Sequence, residues 1–319
     1  MHRCMLVFAM FAAVMISSAQ ILDDRDYKLT VDVELVQLLV SVVDKQGFPV
    51  RDLQRDSFTV YEDKAPQHIS LFKQEDVPLS VVLVIDASGS MLDKLDRLKA
   101  AAKTFVRERH LEDQTSIVSF ADEVFLEQDF TEQTGDLGQA FSRMPSNTGT
   151  AFYDAVYLAA RHLHDEGSHE KKVLVVVSDG EDNKSKYDLG QVLRAVAEWK
   201  ITVYSVGLLS SGPAIYGMQG DAGKKALKRL ADLTGGAWFF PGNINEVEDI
   251  CKRIARDLRN QYTIGYRPAN EKRDGSWRKI LVRITPPKNT PKLTIRTKQG
   301  YYAPRPRTET AQSMKELLK

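Results

Sequence analysis

Between Leu79 and Asn260 short apolar runs alternate with stretches of helical periodicity, and that alternation restricts the fold more than any other feature of the chain. Val81-Val82-Leu83-Val84-Ile85 is apolar without interruption, as expected of a strand buried on both faces. Leu92, Leu95, Leu98, Ala102, Phe105 and Val106 follow at helical spacing. Strand-like runs recur over 116–120, 173–177, 201–206 and 237–240, with helical stretches over 133–143, 150–164, 188–200, 222–233 and 245–260. Residues 124–130 read as a short hairpin partner of 116–120. Strands taking turns with helices predict an α/β fold with a doubly wound, mainly parallel sheet.

Period-two alternation governs both flanks. Leu29, Val31, Val33 and Leu35 alternate with polar residues, and the apolar phase then shifts to Val36, Leu38, Val40 and Val42. Such a shift predicts a bulge or a change of sheet near Leu35. Phe58 and Val60, then Ile69 and Leu71, mark strands around a turn at 62–66. Beyond Gln261, Tyr262, Ile264 and Tyr266 alternate, as do Ile280, Val282 and Ile284, and Leu293 with Ile295. Each flank alone has too few strands for a stable unit, so the expectation is one β-sandwich formed by N- and C-terminal strands, with the α/β domain inserted in it. The implied organisation is a leader at 1–19, a β segment at 20–76, the α/β domain at 77–260, a second β segment at 261–303 and a linker or tail at 304–319.

The leader is read from a short basic start (His2, Arg3), an apolar run over 4–16, and Ser17 and Ala19 at the small positions of a cleavage site. The expected product is exported, periplasmic or extracellular, with cleavage after Ala19. The apolar run is shorter than the ~18 residues a spanning helix needs, which argues against the alternative of an uncleaved membrane anchor, and no membrane association is expected after cleavage. The 44 Lys+Arg against 43 Asp+Glu give no basic surplus for a nucleic-acid partner. No G-x-x-x-x-G-K-[ST] loop provides for a nucleotide. Two cysteines exclude a disulfide scaffold, and Cys251, the one outside the leader, falls on an apolar helical stripe with Val247, Ile250, Ile254 and Leu258, where a buried thiol is expected.

Oxygen-bearing side chains gather at the expected C-terminal ends of strands. The first α/β strand ends in Asp86-Ala87-Ser88-Gly89-Ser90, a helix opens at Gly149-Thr150, and the strand at 173–177 ends in Ser178-Asp179-Gly180. That edge of an open α/β sheet is where ligands bind. Hydroxyls with a few carboxylates suit magnesium, which takes oxygen ligands in octahedral geometry and keeps waters. Asp86-x-Ser88-x-Ser90, Thr150 and Asp179 resemble the metal-ion-dependent adhesion site of von Willebrand factor type A domains, a doubly wound Rossmann-like fold. Gly149-Thr150-Ala151 to Asp154 and Ser178-Asp179-Gly180 resemble it in order and context, over about residues 77–260. Phe58–Asp63 and Gln261–Tyr266 are similar to segments flanking this domain in secreted bacterial relatives. The resemblance implies a Mg²⁺ or Mn²⁺ site with Ser88, Ser90 and Thr150 as direct ligands and Asp86 and Asp179 direct or through water. It implies a partner protein that presents an acidic side chain, hence adhesion or complex assembly rather than catalysis. A Mg²⁺-dependent hydrolase and a metal-independent envelope component are the alternatives. Against a serine hydrolase stands the lack of Gly-x-Ser-x-Gly.

Other features carry less chemistry. His162 and His164 do not share a helix face, and His169 falls in a polar loop, which argues against a zinc cluster. Asp154 is expected as a hydrogen-bond acceptor and Asp182 as a loop or cap residue. Asp122, Glu123 and Glu127 are expected to solvate an edge strand. The Gly- and Ser-rich stretch 208–224 leaves a strand end beside the metal edge, so Tyr216 and Met218 are candidate partner-binding residues. Asn245 and Glu248 form the expected capping box of the last helix. That helix runs into the strand at Tyr262 with almost no linker. In related domains it moves when the metal gains an acidic ligand, so it serves here either as a lever on the sandwich or as a rigid tether.

Overall fold

The computed structural model describes residues 35–108, 110–144, 149–208, 217–286 and 292–305. Its centre is β5 (Leu79–Asp86), all eight residues of which are buried. β5 lies parallel to β6 (Gln114–Phe120) on one side and to β8 (Lys171–Ser178) on the other. β9 (Thr202–Gly207) and β10 (Trp238–Phe239) extend the sheet beyond β8 in parallel. β7 (Val124–Thr131) closes the other edge as the antiparallel hairpin partner of β6, giving the order β10-β9-β8-β5-β6-β7.

Helices cover both faces. α1 (Leu95–Arg107), α2 (Thr134–Arg143) and α6 (Val247–Arg259) bury Leu98, Phe105, Leu137, Phe141, Ile250 and Ile254 on one side. α3 (Phe152–Glu166), α4 (Leu189–Glu198) and α5 (Gly217–Thr234) bury Phe152, Val156, Val192, Leu227 and Leu230 on the other. The chain leaves β5 toward β6 but leaves β8 toward β9, in the opposite direction. The crevice between their C-terminal ends is therefore the topological switch point of the sheet.

The flanking strands form two antiparallel sheets, as expected of an interrupted sandwich. One joins Thr294–Arg296, Val36–Val43, Tyr262–Tyr266 and Ile69–Lys73 in that order, and the other Gly300–Tyr302, Trp277–Ile284, Phe58–Glu62 and Ala65–Gln67. β1 (Val36–Val43), β2 (Phe58–Glu62), β3 (Ala65–Gln67) and β4 (Ile69–Lys73) come from the N-terminal side. β11 (Tyr262–Tyr266), β12 (Trp277–Ile284), β13 (Thr294–Arg296) and β14 (Gly300–Tyr302) come from the C-terminal side. Val36, Leu38, Val40, Phe58, Val60, Ile264 and Ile280 meet in one core between the sheets. Asp63 and Lys64 both take positive φ, 45° and 74°, the backbone of a tight turn between β2 and β3, and Pro66 sits on the edge strand where its missing N–H costs nothing. The apolar run at 29–33 and the leader lie outside the described residues. No helix among the described residues is long and apolar enough to cross a membrane.

Two expectations need correction. α5 starts at Gly217, so the second half of the 208–224 stretch is helix rather than loop; buried Ala226, Leu227 and Leu230 drive that helix despite its glycines. Asn245 does not cap the last helix. Asn243 accepts from the Asn245 backbone N–H at 2.9 Å and opens a 3₁₀ turn over Ile244–Glu246, from which α6 continues. The Asn245 side chain instead accepts from the Arg97 guanidinium.

Candidate metal centre

Asp86 is the last residue of β5 and fully buried. Its Oδ1 accepts from the Ser88 backbone N–H at 2.9 Å, which folds the chain back on itself. Its Oδ2 accepts from the hydroxyl of Ser178, the last residue of β8, at 2.6 Å. That bond spans the switch-point crevice and sets the two strand ends in register. The Ser178 oxygen in turn accepts from Gly180 N–H at 2.9 Å, turning the chain so that Asp179 faces the same crevice. Asp179 Oδ2 accepts from the Ser90 hydroxyl at 2.9 Å, and the Ser90 and Ser88 oxygens lie 3.2 Å apart. Four of the five candidate residues thus form one hydrogen-bonded cluster.

Thr150 is brought alongside by backbone contacts. Its N–H donates to Asn183 Oδ1 at 3.0 Å and its carbonyl accepts from Asn183 N–H at 2.9 Å, while Ala151 N–H donates to the Ala121 carbonyl at 2.6 Å. Gly149 turns the chain into α3 with a φ of +107°. Among the described residues the Thr150 hydroxyl makes no hydrogen bond to the other four. Asn183 is a positioning residue that the sequence reading passed over; its signal was a carboxamide four residues after the Asp179 carboxylate.

The first turn of α3 has no local side-chain cap. The loop after β8 caps it from outside: Tyr153 N–H donates to Asp182 Oδ1 at 3.2 Å and Asp154 N–H to Ser185 Oγ at 3.0 Å. Asp154 returns the contact, accepting from the N–H groups of Lys186 and Tyr187 at 2.8 and 2.9 Å. Both aspartates are therefore scaffold acceptors, as expected. The histidines stay apart. His162 stacks on Phe130 and contacts Asp129, His164 stacks on Trp199, and His169 lies against the Glu112 carbonyl. Burial pushes the Cys251 thiol up to about 12, helped by the charge of Glu248, which leaves it inert. Tyr216 lies outside the described residues, and of Met218 only the helical backbone is described.

The electrostatics ask for a cation. Burial raises the Asp86 carboxyl to about 6; hydrogen bonds from Ser178 and Ser88 oppose the rise, and the Asp179 charge adds to it. Among the described residues no lysine or arginine pairs with either aspartate. No group of three or more His, Cys, Asp or Glu suited to a metal occurs among them either. The donor set is hydroxyl-rich and carboxylate-poor, and all oxygen. With the Ser90 proton committed to Asp179, the lone pairs of that hydroxyl remain available. This inventory fits a small hard cation.

Residues 81–181 match the family of von Willebrand factor type A domains. No curated protein matches the chain. Among solved structures, a von Willebrand factor type A protein from Catenulispora acidiphila is similar at 13% identity and a TM-score of 0.51, over 85% of this chain and 64% of that one. Proximal thread matrix protein 1 from the mussel byssus, with a zinc-occupied MIDAS motif, is similar at 14% identity and 0.48, over 62% and 49%. The corresponding domain of the type V pili tip protein Mfa5 from Porphyromonas gingivalis is similar at 15% identity and 0.47, over 57% and 95%. At these identities the likeness is one of fold.

Proposed function

We propose that this chain, which carries a von Willebrand factor type A domain, is a non-enzymatic binding module that captures an acidic group of a protein partner through a divalent cation. The observation that carries the reading is the switch-point cluster: a buried Asp86 with a raised pKa, a second buried carboxylate at Asp179, and serine hydroxyls strung between them. Ser88, Ser90 and Thr150 would hold Mg²⁺ or Mn²⁺ directly, and Asp86 and Asp179 directly or through water. When bound, the cation supplies an electrophilic position that a partner carboxylate can fill. The chain's own residues orient the hydroxyls, exclude bulk water from Asp86 and hold Asp179 in the crevice. With the leader expected at residues 1–19, the reading places this binding outside the cytoplasm, in adhesion or in assembly of an envelope complex.

Calorimetry tests the first step. The wild type should bind Mg²⁺ or Mn²⁺, and Asp86→Ala and Asp179→Ala should abolish that heat while keeping the far-UV circular dichroism. Unchanged affinity in both variants refutes the site. Pull-down from a native envelope extract with and without EDTA tests the second step, the expected outcome being partners that elute with the chelator.

A further inference from the structure

α5 carries four cations in a block. Lys224, Lys225, Lys228 and Arg229 are all exposed, and they form two i,i+4 pairs of like charge on one side of the helix. Such pairs weaken a helix. Among the described residues none of the four is in an ion pair. Asp221 and Asp232 share the helix, but Asp232 is engaged with the Trp238 indole N–H at 3.0 Å. Elsewhere on the surface cations do find acids, as in Arg194 with Glu198 and Lys252 with Glu248. On α5 two of them lie over aromatic rings instead: Lys224 Nζ is 5.1 Å from the Phe240 ring centre and Lys228 Nζ is 4.3 Å from that of Trp238. An aromatic face fixes an ammonium in place without neutralising it.

The block begins beside the metal edge. Gly223, next to Lys224, is in backbone contact with the Asp179-Gly180 peptide: a Cβ there would stand 2.6 Å from the Asp179 carbonyl oxygen. Phe240, under Lys224, packs on Gly207, which is paired with Ser178 across β8 and β9. Lys224 therefore lies on the order of 10 Å from the switch-point crevice, two strand spacings away, and Lys228 one helical turn further. An extended chain covers that first interval in about three residues.

We propose that the α5 cations are a second contact for the partner: an acidic, extended protein segment that gives one carboxylate to the metal edge and further carboxylates, about three residues on, to Lys224 and Lys228. This rests on the metal-dependent reading above and adds the chemistry of the partner to it. The test uses fluorescein-labelled decaglutamate as probe, decaglutamine as the uncharged control, and anisotropy on the full chain in Mg²⁺ or EDTA. Decaglutamate should bind in Mg²⁺ and weaken steeply with salt. Lys224→Gln/Lys228→Gln should weaken it about tenfold, with Mg²⁺ affinity by calorimetry unchanged. Lys225→Gln/Arg229→Gln should weaken it less. The exposed control Lys45→Gln/Lys272→Gln should leave it unaltered. If the wild type binds no Mg²⁺ yet decaglutamate binding still falls in Lys224→Gln/Lys228→Gln, the surface stands and the metal reading falls. Equal binding by wild type and Lys224→Gln/Lys228→Gln overturns the proposal. So does an equal loss in the Lys45→Gln/Lys272→Gln control. Tighter binding of duplex DNA, heparin or phosphatidylserine vesicles than of decaglutamate would make the surface a general polyanion site and also overturns it.

Discussion

Asp86 and Asp179 are both nearly inaccessible, yet they differ in what holds them. Asp86 draws a hydroxyl from one strand and an amide from its own turn, and still loses more from burial than it gains. Its folded pKa of about 6 lies above the ordinary 3.8, so the native state holds this proton more tightly than the unfolded chain. In the metal-free protein the contribution of Asp86 to stability therefore falls as pH rises from 3.8 to 6, and the loss is complete above about 6. A bound cation offsets that loss only where Asp86 is ionised. Mg²⁺ should raise the melting temperature clearly at about pH 7.5 and little at about pH 5, and Asp86→Asn should remove both the Mg²⁺ increment and the decline of metal-free stability between pH 4 and 6. Scanning calorimetry across that range, with and without metal, decides it; an increment independent of pH would rule it out. At this scale the sequence was informative because alternate oxygen side chains after a buried strand must converge on one edge. The roles of Ser178 and Asn183 were less legible than their positions, because each acts by a bond to a residue far along the chain, Asp86 in one case and Thr150 in the other.

Between elements, backbone contact counts for as much as side-chain chemistry. Gly180, with φ at +77°, and Gly223 on α5 touch with nothing between them; a Cβ on either would stand 2.6 Å from a backbone oxygen of the other segment. A Cβ at Gly223 must either push on the Asp179-Gly180 peptide or displace the start of α5. Gly223→Ala should accordingly lower Mg²⁺ affinity at least tenfold while the sandwich keeps its amide protection, whereas the exposed neighbour substitution Ala222→Ser should change neither. Isothermal titration beside hydrogen exchange reads both, and wild-type affinity in a folded Gly223→Ala protein would contradict it. The start of α5 was misread because Gly217, Gly220 and Gly223 look like loop, while the helix is held by its buried face and needs one glycine for this contact. Caps were misread in a parallel way. Asp188 and Gln191 form a full capping box on α4, with bonds of 2.8 and 2.9 Å, whereas Asn245 makes none on α6. Asp188→Ala should cost about 1 kcal/mol in urea denaturation and Asn245→Ala much less, since Asn243 holds the turn.

Across the whole molecule, the order of β, then α/β, then β strands was readable because a change of hydrophobic period marks a change of layer. What joins the layers was not, since it is a polar junction assembled from seven segments far apart in the chain. The buried Asp257 on α6 accepts from the Tyr204 hydroxyl of β9 at 2.6 Å and from Arg296 of β13 at 2.7 Å. Gln261, two residues past the end of α6, donates to Ser41 of β1 at 3.1 Å and to the Tyr204 oxygen at 3.3 Å. Lys171 reaches the Leu258 carbonyl, and Arg259 is clamped by Asp113 and by Asp76, the latter at 2.9 Å. The C-terminal turn of α6 is thus fixed to the N-terminal ends of β5, β6 and β8, to β9, and to β1 and β13, which are neighbours in one sheet of the sandwich. Sliding α6 along its axis would break all of these together, and Asp257, Tyr204, Gln261 and Asp113 would each be left buried without a partner they now have. These shared bonds argue for α6 as a tether rather than a lever. Amide exchange in Tyr262–Tyr266 should be the same with and without saturating Mg²⁺, and a metal-dependent change there would restore the lever. The same argument gives the energetic test. Asp257→Ala strands the Arg296 guanidinium and the Tyr204 hydroxyl, and breaking such a buried pair costs about 3 kcal/mol. Because the junction belongs to both layers, that loss should move a single shared unfolding transition, seen alike by exchange in β1 and in β9. If β9 kept its wild-type protection while β1 lost it, the sandwich and the α/β sheet would be separate cooperative units, and the tether would hold orientation without sharing stability.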